Sequence, residues 1–428
     1  MTRDEHDSPR GDVADRSATT ENGGDDAPWF GAGVVGVAGA SFFSDTGHEI
    51  TTAILPSFIT ATLHASAGVL GLVEGLSDGL MGLAKLGAGP LANQPHRRSR
   101  LASGGYLGTA VATGLIGLSV AVWQVGVLRA LAWFSRGVRS PARDSILASV
   151  APARAYGRAF GLERAGDNLG AVAGPLLAAV LVAWIGIRPA LYLAAVPGAF
   201  AVVAITLAAR ASRDKLPAAR RAFSFEFRRL QKAGLLRPMI PVAAFELGNV
   251  ATTLLILRAM QLLQQGGLTL TAATSLAILI YAAHNAFGAL VAFIGGHWID
   301  RAGPRVVFAS AALLYVVAYS GFAIPHQSWW TLLIFFSLAG SGIGLAETAE
   351  STLVARALPD ELRGSGFGML GAIQAGGDFA SSAVVGLLYA VASPVIGFAY
   401  AAAWMLVALA GSAALRTPVA NADAHPAN

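Results

Sequence analysis

Three residues that can exchange protons or bind a cation stand close together in one apolar stretch: Asp45, His48 and Glu49. At spacings of three and four positions, their side chains share one face of an α-helix. Glu74 and Asp78 follow one helical turn apart in the next apolar stretch. At membrane depth each charge costs at least about 2.5 to 3.5 kcal/mol, so it indicates function. No basic residue on the same stretch neutralises Asp45 or Glu49, and we expect these acids to bind and release protons or to bind a cation.

The composition indicates that the elements positioning these residues lie in a membrane. Of 428 residues, 54% are hydrophobic and 13% are charged, a balance that soluble domains of this length do not have. Apolar runs of roughly 18 to 25 residues recur, long enough to cross about 30 Å of hydrocarbon. Strand alternation is absent, so we predict an all-α membrane protein. The twelve predicted spans cover about residues 31–61, 67–92, 101–120, 122–147, 159–184, 189–209, 238–263, 271–296, 304–324, 328–355, 365–391 and 394–415.

An internal repeat divides these spans into two halves. Asp144 aligns with Glu350, and the pair Phe160-Gly161 aligns with Phe367-Gly368. Duplicated membrane halves around a central site are typical of proteins that expose one site alternately to two sides. We therefore predict a disordered tail at 1–28, six-helix bundles at 29–210 and 238–416, a linker at 211–237 and a second tail at 417–428.

The distribution of charge predicts the orientation. Loops on the side of the N-terminus are rich in arginine, whereas the opposite loops contain only Arg188. This asymmetry follows the positive-inside rule, so we expect a multi-pass protein of the inner (plasma) membrane with both termini in the cytoplasm. The same distribution argues against a nucleic-acid partner despite the net charge of +5. The chain has no cysteine, which excludes disulfides and thiolate metal sites.

A loop motif between spans 8 and 9 has the pattern GxxxDRxGxR. Its fixed residues are Gly296, Asp300, Arg301, Gly303 and Arg305. The motif resembles the loop signature of the major facilitator superfamily, in the position where that family repeats it in the second half. At the first-half position, Asn93 and Gln94 replace the acid and the next arginine. In the family that acid stabilises the outward-facing state, so the resemblance implies an altered latch here, to which Arg143 and Asp144 could contribute.

Span 5 contains a third motif, with Gly161, Gly170, Gly174 and Pro175. It resembles the antiporter signature of exporters in the superfamily, and this is the main reason to expect export. A purely structural role in helix packing remains the alternative. Nearby segments are similar to bacterial multidrug exporters, although Ala132 and Trp133 stand where such exporters commonly have an Asp-Arg pair.

The resemblance also implies which residues face the central cavity, because spans 1, 4, 7 and 10 line it in this family. The residues expected there are Asp45, His48, Glu49, Arg129, Glu246, Asn249, Arg258 and Glu347. Those expected at the cytoplasmic gate are Arg143, Asp144, Arg158, Glu163, Arg164, Asp167 and Glu350. Two alternatives stay open: Arg129 neutralises Glu74 or Asp78, and Glu347 with Glu350 belongs to a charge cluster beside Arg356. Asp378, His284 and Asn285 are expected as hydrogen-bond partners between helices.

These observations favour a proton-coupled antiporter, active as a monomer and without a cofactor, that exports a small amphipathic or cationic compound. A specific metal-ion or metabolite transporter of the same fold is the alternative. Asp45, His48 and Glu49 suit a divalent ion, but they form half a site and no matching histidine pair is present, so we predict no resident metal. A membrane-embedded enzyme or a sensor is less favoured. No GxxxxGK[ST] motif is present, which argues against ATP as the energy source.

Overall fold

The protein is helical throughout the part that the structure describes. This computed structural model describes residues 29–64, 67–213, 227–325 and 328–414, and no strand occurs in those ranges. The two predicted tails and most of the predicted linker lie outside them. The first half contains α1 (Ala32–Ser57), α2 (Ala67–Ala92), α3 (Pro95–Leu115), α4 (Val122–Val150), α5 (Tyr156–Ile185), α6 (Ile187–Leu193) and α7 (Ala195–Arg213). After α8 (Phe227–Lys232), the second half contains α9 (Leu236–Gly248), α10 (Thr252–Gln265), α11 (Leu270–Ala302), α12 (Pro304–Ala323), α13 (Trp329–Ala357), α14 (Asp360–Val391) and α15 (Pro394–Gly411).

These helices make twelve crossings, which confirms the predicted all-α fold. Among the described residues, eight crossings are long and apolar enough to span a membrane by composition alone. The other four are α1, α2, α4 and α14, which are long enough to cross a bilayer. These four contain Asp45, Asp78, Arg136 and Asp378, so interior charge lowers their hydropathy. The crossings that fail a simple hydropathy test therefore each contribute charge to the polar interior.

The seventh crossing differs from the predicted continuous span, because it consists of two helices. α9 ends at Gly248, Asn249 and Val250 are extended, and α10 begins at Thr252. The break frees backbone amides that a continuous helix would bond. Val250 N donates to the Tyr319 hydroxyl (2.9 Å) and Ala251 N donates to Ser382 Oγ (3.1 Å). Side chains of α12 and α14 thus support the break.

The two halves meet along two helix pairs related by the internal repeat. α5 packs on α11, and α2 packs on α14. In the first pair a Cβ on Gly161 would collide with the carbonyl of Ala292; in the second, a Cβ on Gly368 would collide with the backbone of α2 at Lys85 and Gly89. Gly161 and Gly368 are matching positions of the repeat. Glycine at both positions therefore lets the halves approach closely on the side where α2, α5, α11 and α14 have their arginine-rich ends.

We call that side the basic face and define it by residues 96–100, 153–158, 300–305 and 356–363. Its polar residues contact one another across the halves. Arg98 bonds Asp360 (2.8 Å), Arg363 bonds the Tyr156 hydroxyl (2.7 Å), and Arg158 bonds Asp300 (2.9 Å). The basic face is thus held together by charged and polar contacts.

Candidate functional site

A cavity of about 520 Å³ lies against the break between α9 and α10. Its carboxylates are Asp78 of α2, Glu347 of α13 and Asp378 of α14. Its lining residues all belong to the described ranges, and no lysine or arginine is among them. Apolar wall is provided by residues such as Met81, Val250, Ile343 and Phe379. The cavity therefore combines negative charge with apolar surface.

The break itself brings two acids together through one amide. Asn249 Nδ2 donates to Glu246 Oε2 (3.2 Å) and to Asp378 Oδ1 (2.8 Å). The Tyr315 hydroxyl donates to Asn249 Oδ1 (3.4 Å), which fixes the orientation of the amide. Glu246 and Asp378 are also placed for a hydrogen bond between their carboxyl groups. Glu246 is only 2% exposed, whereas Asp378 is exposed to the cavity, so the pair joins a buried acid to an accessible one.

The acid of the first crossing has a different environment. Asp45 is 4% exposed and forms a bidentate ion pair with Arg136 of α4, at 2.6 and 2.9 Å. Arg139 lies 3.6 Å from the same carboxylate. The cations that neutralise Asp45 therefore come from another crossing. His48 packs on Trp133 with 4.1 Å between ring centroids, and its Nε2 lies 3.6 Å from Glu49 Oε1.

The structure does not assemble the predicted cavity residues into one site, and this corrects the sequence expectation. Arg129 lies over the Trp133 ring (3.5 Å) and donates to Thr52 Oγ1 (3.1 Å), so it does not face Asp45. Arg258 donates to the carbonyls of Phe322, near the end of α12, and of Ile324 just after it, not to an acid. Both guanidinium groups therefore bind neighbours other than the predicted acids. The prediction considered only which face of its helix each residue occupies.

Of the acids predicted on the second crossing, Asp78 lines the cavity and accepts a hydrogen bond from Trp133 Nε1 (2.6 Å). The side chain of Glu74 lies outside the described part. Asn249 lines the cavity as expected, and Glu246 lies behind it. His284 also lines the cavity and bonds the Phe336 carbonyl (3.0 Å), in agreement with its expected role between helices.

Five of the predicted gate residues form one connected network, whereas Arg158 pairs with Asp300 and Glu350 bonds Gln374. Arg143 contacts Asp144 (2.9 Å), Glu163 (2.7 Å) and, at 3.9 Å, Asp167. Arg164 lies between Glu163 (3.4 Å) and Glu347 (3.6 Å). A smaller polar cavity of about 140 Å³ lies within the network and shares Glu347 with the larger cavity. Glu347 thus connects the gate network to the larger cavity.

The two loop motifs occupy equivalent positions and differ in charge. Asp300 accepts hydrogen bonds from the backbone amides of Gly157 (2.8 Å) and Arg158 (3.1 Å). At the matching place, Asn93 accepts from Ser365 N (2.9 Å) and donates to Ser365 Oγ (2.7 Å). The first-half contact is therefore retained without charge. Arg301 and Arg305 are exposed, and neither forms an ion pair with a described residue.

The glycines of the third motif position the acids of α1. A Cβ on Gly170 would meet Asp45 Cβ at 2.9 Å, and one on Gly174 would collide with Glu49 Cβ. Pro175 follows within α5. In the second half, a Cβ on Gly377 would likewise collide with Glu246 Cβ. In each half, counted separately, a glycine on the fifth crossing therefore packs directly on an acid of the first crossing.

Sequence reasoning missed several residues of the site. Arg136, Arg139 and Lys85 were not predicted as partners of the acids, and Tyr315 was not predicted at all. Asp378 was expected to bond another helix, which it does, but not to line a cavity. A pair of arginines one helical turn apart on span 4 was a usable signal for Arg136 and Arg139. Tyr315 had no such signal.

Comparisons with known proteins agree with this architecture. The family profile described as Major Facilitator Superfamily matches residues 37–283 and again 233–427. An uncharacterised protein of Mycobacterium tuberculosis (strain ATCC 25618 / H37Rv) is 30% identical over 354 residues, covering 77% of this chain and 81% of that protein. An uncharacterised MFS-type transporter of Methanocaldococcus jannaschii is 24% identical over 356 residues, covering 82% and 87%. A shorter match, 27% over 171 residues, is to multidrug resistance protein MdtG of Proteus mirabilis and covers 39% of this chain and 40% of that protein.

A solved structure shows the same fold. The crystal structure of the human organic anion transporter MFSD10 aligns with a TM-score of 0.71 at 16% identity, covering 89% of this chain and 99% of that chain. At this identity the likeness concerns the fold and not the substrate. The two profile matches, the twelve crossings and the repeated loop motifs lead to one conclusion: this multi-pass membrane protein belongs to the major facilitator superfamily.

Proposed function

We propose that the protein is a proton-coupled antiporter that exports a small amphipathic cation. The observation that carries this proposal is the cavity of about 520 Å³, whose charged lining residues are all carboxylates. Such a cavity attracts a cation, and its apolar wall accommodates the hydrophobic part of the compound. Three acids facing one space also compete for protons, which gives substrate and proton a common binding region.

Export is supported by two further features. The motif of Gly161, Gly170, Gly174 and Pro175 resembles the antiporter signature, and it supports the packing of α5 on α1 and α11. The partial match to a multidrug resistance protein of Proteus mirabilis agrees with the same direction. We further propose that the basic face is cytoplasmic, that both termini lie on that side, and that the protein resides in the inner membrane.

In this proposal the structure represents the state closed toward the cytoplasm. The latch of Asp300 with Arg158 and the contact of Asn93 with Ser365 hold the bundles at 29–210 and 238–416 together on the basic face. The linker at 211–237 and the tails at 1–28 and 417–428 would lie on the same side. We also propose that the transporting unit is a monomer.

The alternative transporter, specific for a metal ion, has less support. No group of three or more histidine, cysteine, aspartate or glutamate residues that could hold a metal ion occurs in the described ranges. Asp45, His48 and Glu49 would provide half of a metal site. Arg136 and Arg139 pair with Asp45, which leaves fewer free ligands there. A membrane-embedded enzyme is not favoured, because the family and the fold are those of transporters.

The test uses purified protein in proteoliposomes with an acidic lumen and ethidium as the probe cation. We expect ethidium to accumulate in the lumen, and an uncoupler that dissipates the pH gradient to abolish the accumulation. Asp78→Asn removes one cavity carboxylate and should reduce accumulation severalfold, whereas Glu361→Gln on the exposed basic face should not. If a panel of amphipathic cations behaves as in empty liposomes, the proposed function is wrong.

A further inference from the structure

We propose that the carboxyl pair of Glu246 and Asp378, bridged by Asn249, is the place where one proton and the charged group of the substrate compete. The inference rests on the proposed function and goes beyond it by naming the coupling site. The sequence alone favoured the acids of α1 for this role. The structure favours the second half, because there the acids lie beside the cavity and lack arginine partners.

The geometry of the pair suits a single shared proton. One amide nitrogen, Asn249 Nδ2, bonds both carboxylates, and the two carboxyl groups contact each other. Two ionised carboxylates this close repel each other, and burial of Glu246 adds to the cost of its charge. One proton between them, or one cation beside them, removes that repulsion. Asp378 and Asn249 line the cavity, so an incoming cation can reach the pair.

The surrounding charges leave this region with excess negative charge. Four acids lie together here: Glu246, Glu347, Glu350 and Asp378. Glu350 is 1% exposed; one of its oxygens accepts from Gln374 Nε2 (2.9 Å), but Oε1 has no hydrogen-bond partner among the described residues. A buried carboxylate oxygen without a partner is costly, and a proton, a cation or a water would relieve that cost.

The titratable groups that face the pair come from four helices. α13 contributes Glu347 and Glu350, α12 contributes Tyr315 and Tyr319, and α2 contributes Lys85, whose charge acts on Asp378. Arg164 of α5 also acts on Glu347 and Glu350, but it is shared with Glu163. Lys85 and a shared Arg164 are fewer cations than the four acids require. A proton or a bound cation must therefore complete the charge balance.

The first half provides an internal comparison. Gly170 and Gly377 are matching positions of the repeat, and they pack on Asp45 and Glu246 respectively. Asp45 also lies beside a second acid, Asp167 of α5, although the repeat matches Asp167 with Gln374 and not with Asp378. Around the first pair, Arg136, Arg143 and Arg164 supply compensating charge.

The second half lacks these arginines. In the alignment that matches Asp144 with Glu350, the counterparts of Arg136, Arg139 and Arg143 are Gly342, Leu345 and Ala349. The second-half acid thus stands without counterparts of these arginines. A structural ion pair explains the first-half site, whereas the second-half site needs a mobile cation or a proton.

The helix break connects this site to conformational change. Asn249 is the first residue after α9, so its side chain bridges the acids while its backbone begins the non-helical segment. The last carbonyls of α9 add partial negative charge at the same end. A cation or a proton that changes the charge of the pair also changes the hydrogen bonds of the Asn249 side chain. Because Asn249 begins the non-helical segment, the break between α9 and α10 is then held differently. Discontinuous helices at ion sites act in this way in other secondary transporters.

The test is an infrared pH titration of the carboxylic acid C=O band, with the full chain in nanodiscs and no added ligand. We expect a band from a protonated buried carboxyl group in the wild type. The single variants Glu246→Gln and Asp378→Asn should each change this band. The double variant should lose the intensity of the one carboxyl group that holds the shared proton. Glu361→Gln, the same substitution on the exposed start of α14, should leave it unchanged. A double variant that keeps the complete wild-type band would overturn the inference.

A second measurement needs no variant and separates this inference from the proposed function. Tetraphenylphosphonium, a probe cation without exchangeable protons, is added to the wild type at constant pH. If it binds, the C=O band should fall by one carboxyl group and one proton should appear in the medium. Binding without either change would overturn the inference. If no amphipathic cation binds, the proposed substrate class fails, and the titration of the variants still decides whether the pair holds a proton.

Discussion

Asp300 and Arg158 form an ion pair of 2.9 Å that joins the two halves of the protein at the basic face. The same carboxylate bonds Arg356 and the start of α5, so one residue of α11 holds three partners. The matching contact of Asn93 with Ser365 has the same placement and no charge. The two loop motifs therefore provide one charged latch and one neutral latch, beside the Arg98–Asp360 pair.

Asp300→Asn should weaken the charged latch and open the basic face more often. Ser140, which lines the small cavity behind the latch, provides a reporter as Ser140→Cys, because the chain has no other cysteine. We expect maleimide labelling of this cysteine to become about tenfold faster, which corresponds to about 1.4 kcal/mol. Arg305→Gln serves as the control because Arg305 is exposed and should not change labelling. Equal labelling rates with and without Asp300 would contradict a latch role.

Asn93→Asp should destabilise the protein, because it introduces a largely buried carboxylate beside a serine. Asn93 is only 8% exposed and donates its amide hydrogen to Ser365, a bond that a carboxylate cannot make. Loss of such a bond costs about 1 to 3 kcal/mol. Ser365→Arg in the same chain recreates the Asp300–Arg158 pair and should restore part of the loss, measured by thermal unfolding in detergent. An additive effect of both changes would show that the two sites are not equivalent.

Gly377→Ala should impair folding or transport, since the new Cβ would collide with Glu246. The neighbouring Gly376 is a matched control, because a Cβ there meets nothing within 4 Å. Gly376→Ala should be neutral or stabilising by up to about 1 kcal/mol through helix propensity. Yield of folded protein and ethidium transport measure both variants. Similar behaviour of the two alanine variants would contradict the close packing of α14 on α9.

Arg136→Gln should be strongly destabilising, by about 3 to 5 kcal/mol, because it leaves Asp45 charged and buried with one fewer arginine. Combining it with Asp45→Asn removes both charges and should recover most of the stability. A double-mutant cycle of unfolding free energies quantifies the coupling. A coupling energy near zero would show that the bidentate pair contributes little to stability.

The fold was predictable from the sequence for two reasons. The length of the apolar runs matches the thickness of the bilayer, and the uneven distribution of arginine indicates on which side each loop lies. The gate network was also predictable, since Arg143, Glu163 and Arg164 lie within or beside repeated motifs. The pairing of Asp45 with Arg136 was not, because it depends on the rotation of α4 relative to α1. The break after Gly248 was missed for a similar reason. Hydropathy continues through Asn249, and only Tyr319 and Ser382, distant in sequence, support the non-helical segment.

The central claim, exchange of a cation for a proton, is tested most directly by recording both fluxes in the same proteoliposomes. Ethidium fluorescence reports entry of the cation, and a pH-sensitive dye in the lumen reports exit of protons. We expect addition of ethidium to acid-loaded vesicles to raise the luminal pH in step with ethidium entry, and both signals to be lost with Glu246→Gln together with Asp378→Asn. Entry of ethidium through the wild type with no accompanying proton movement would contradict the account.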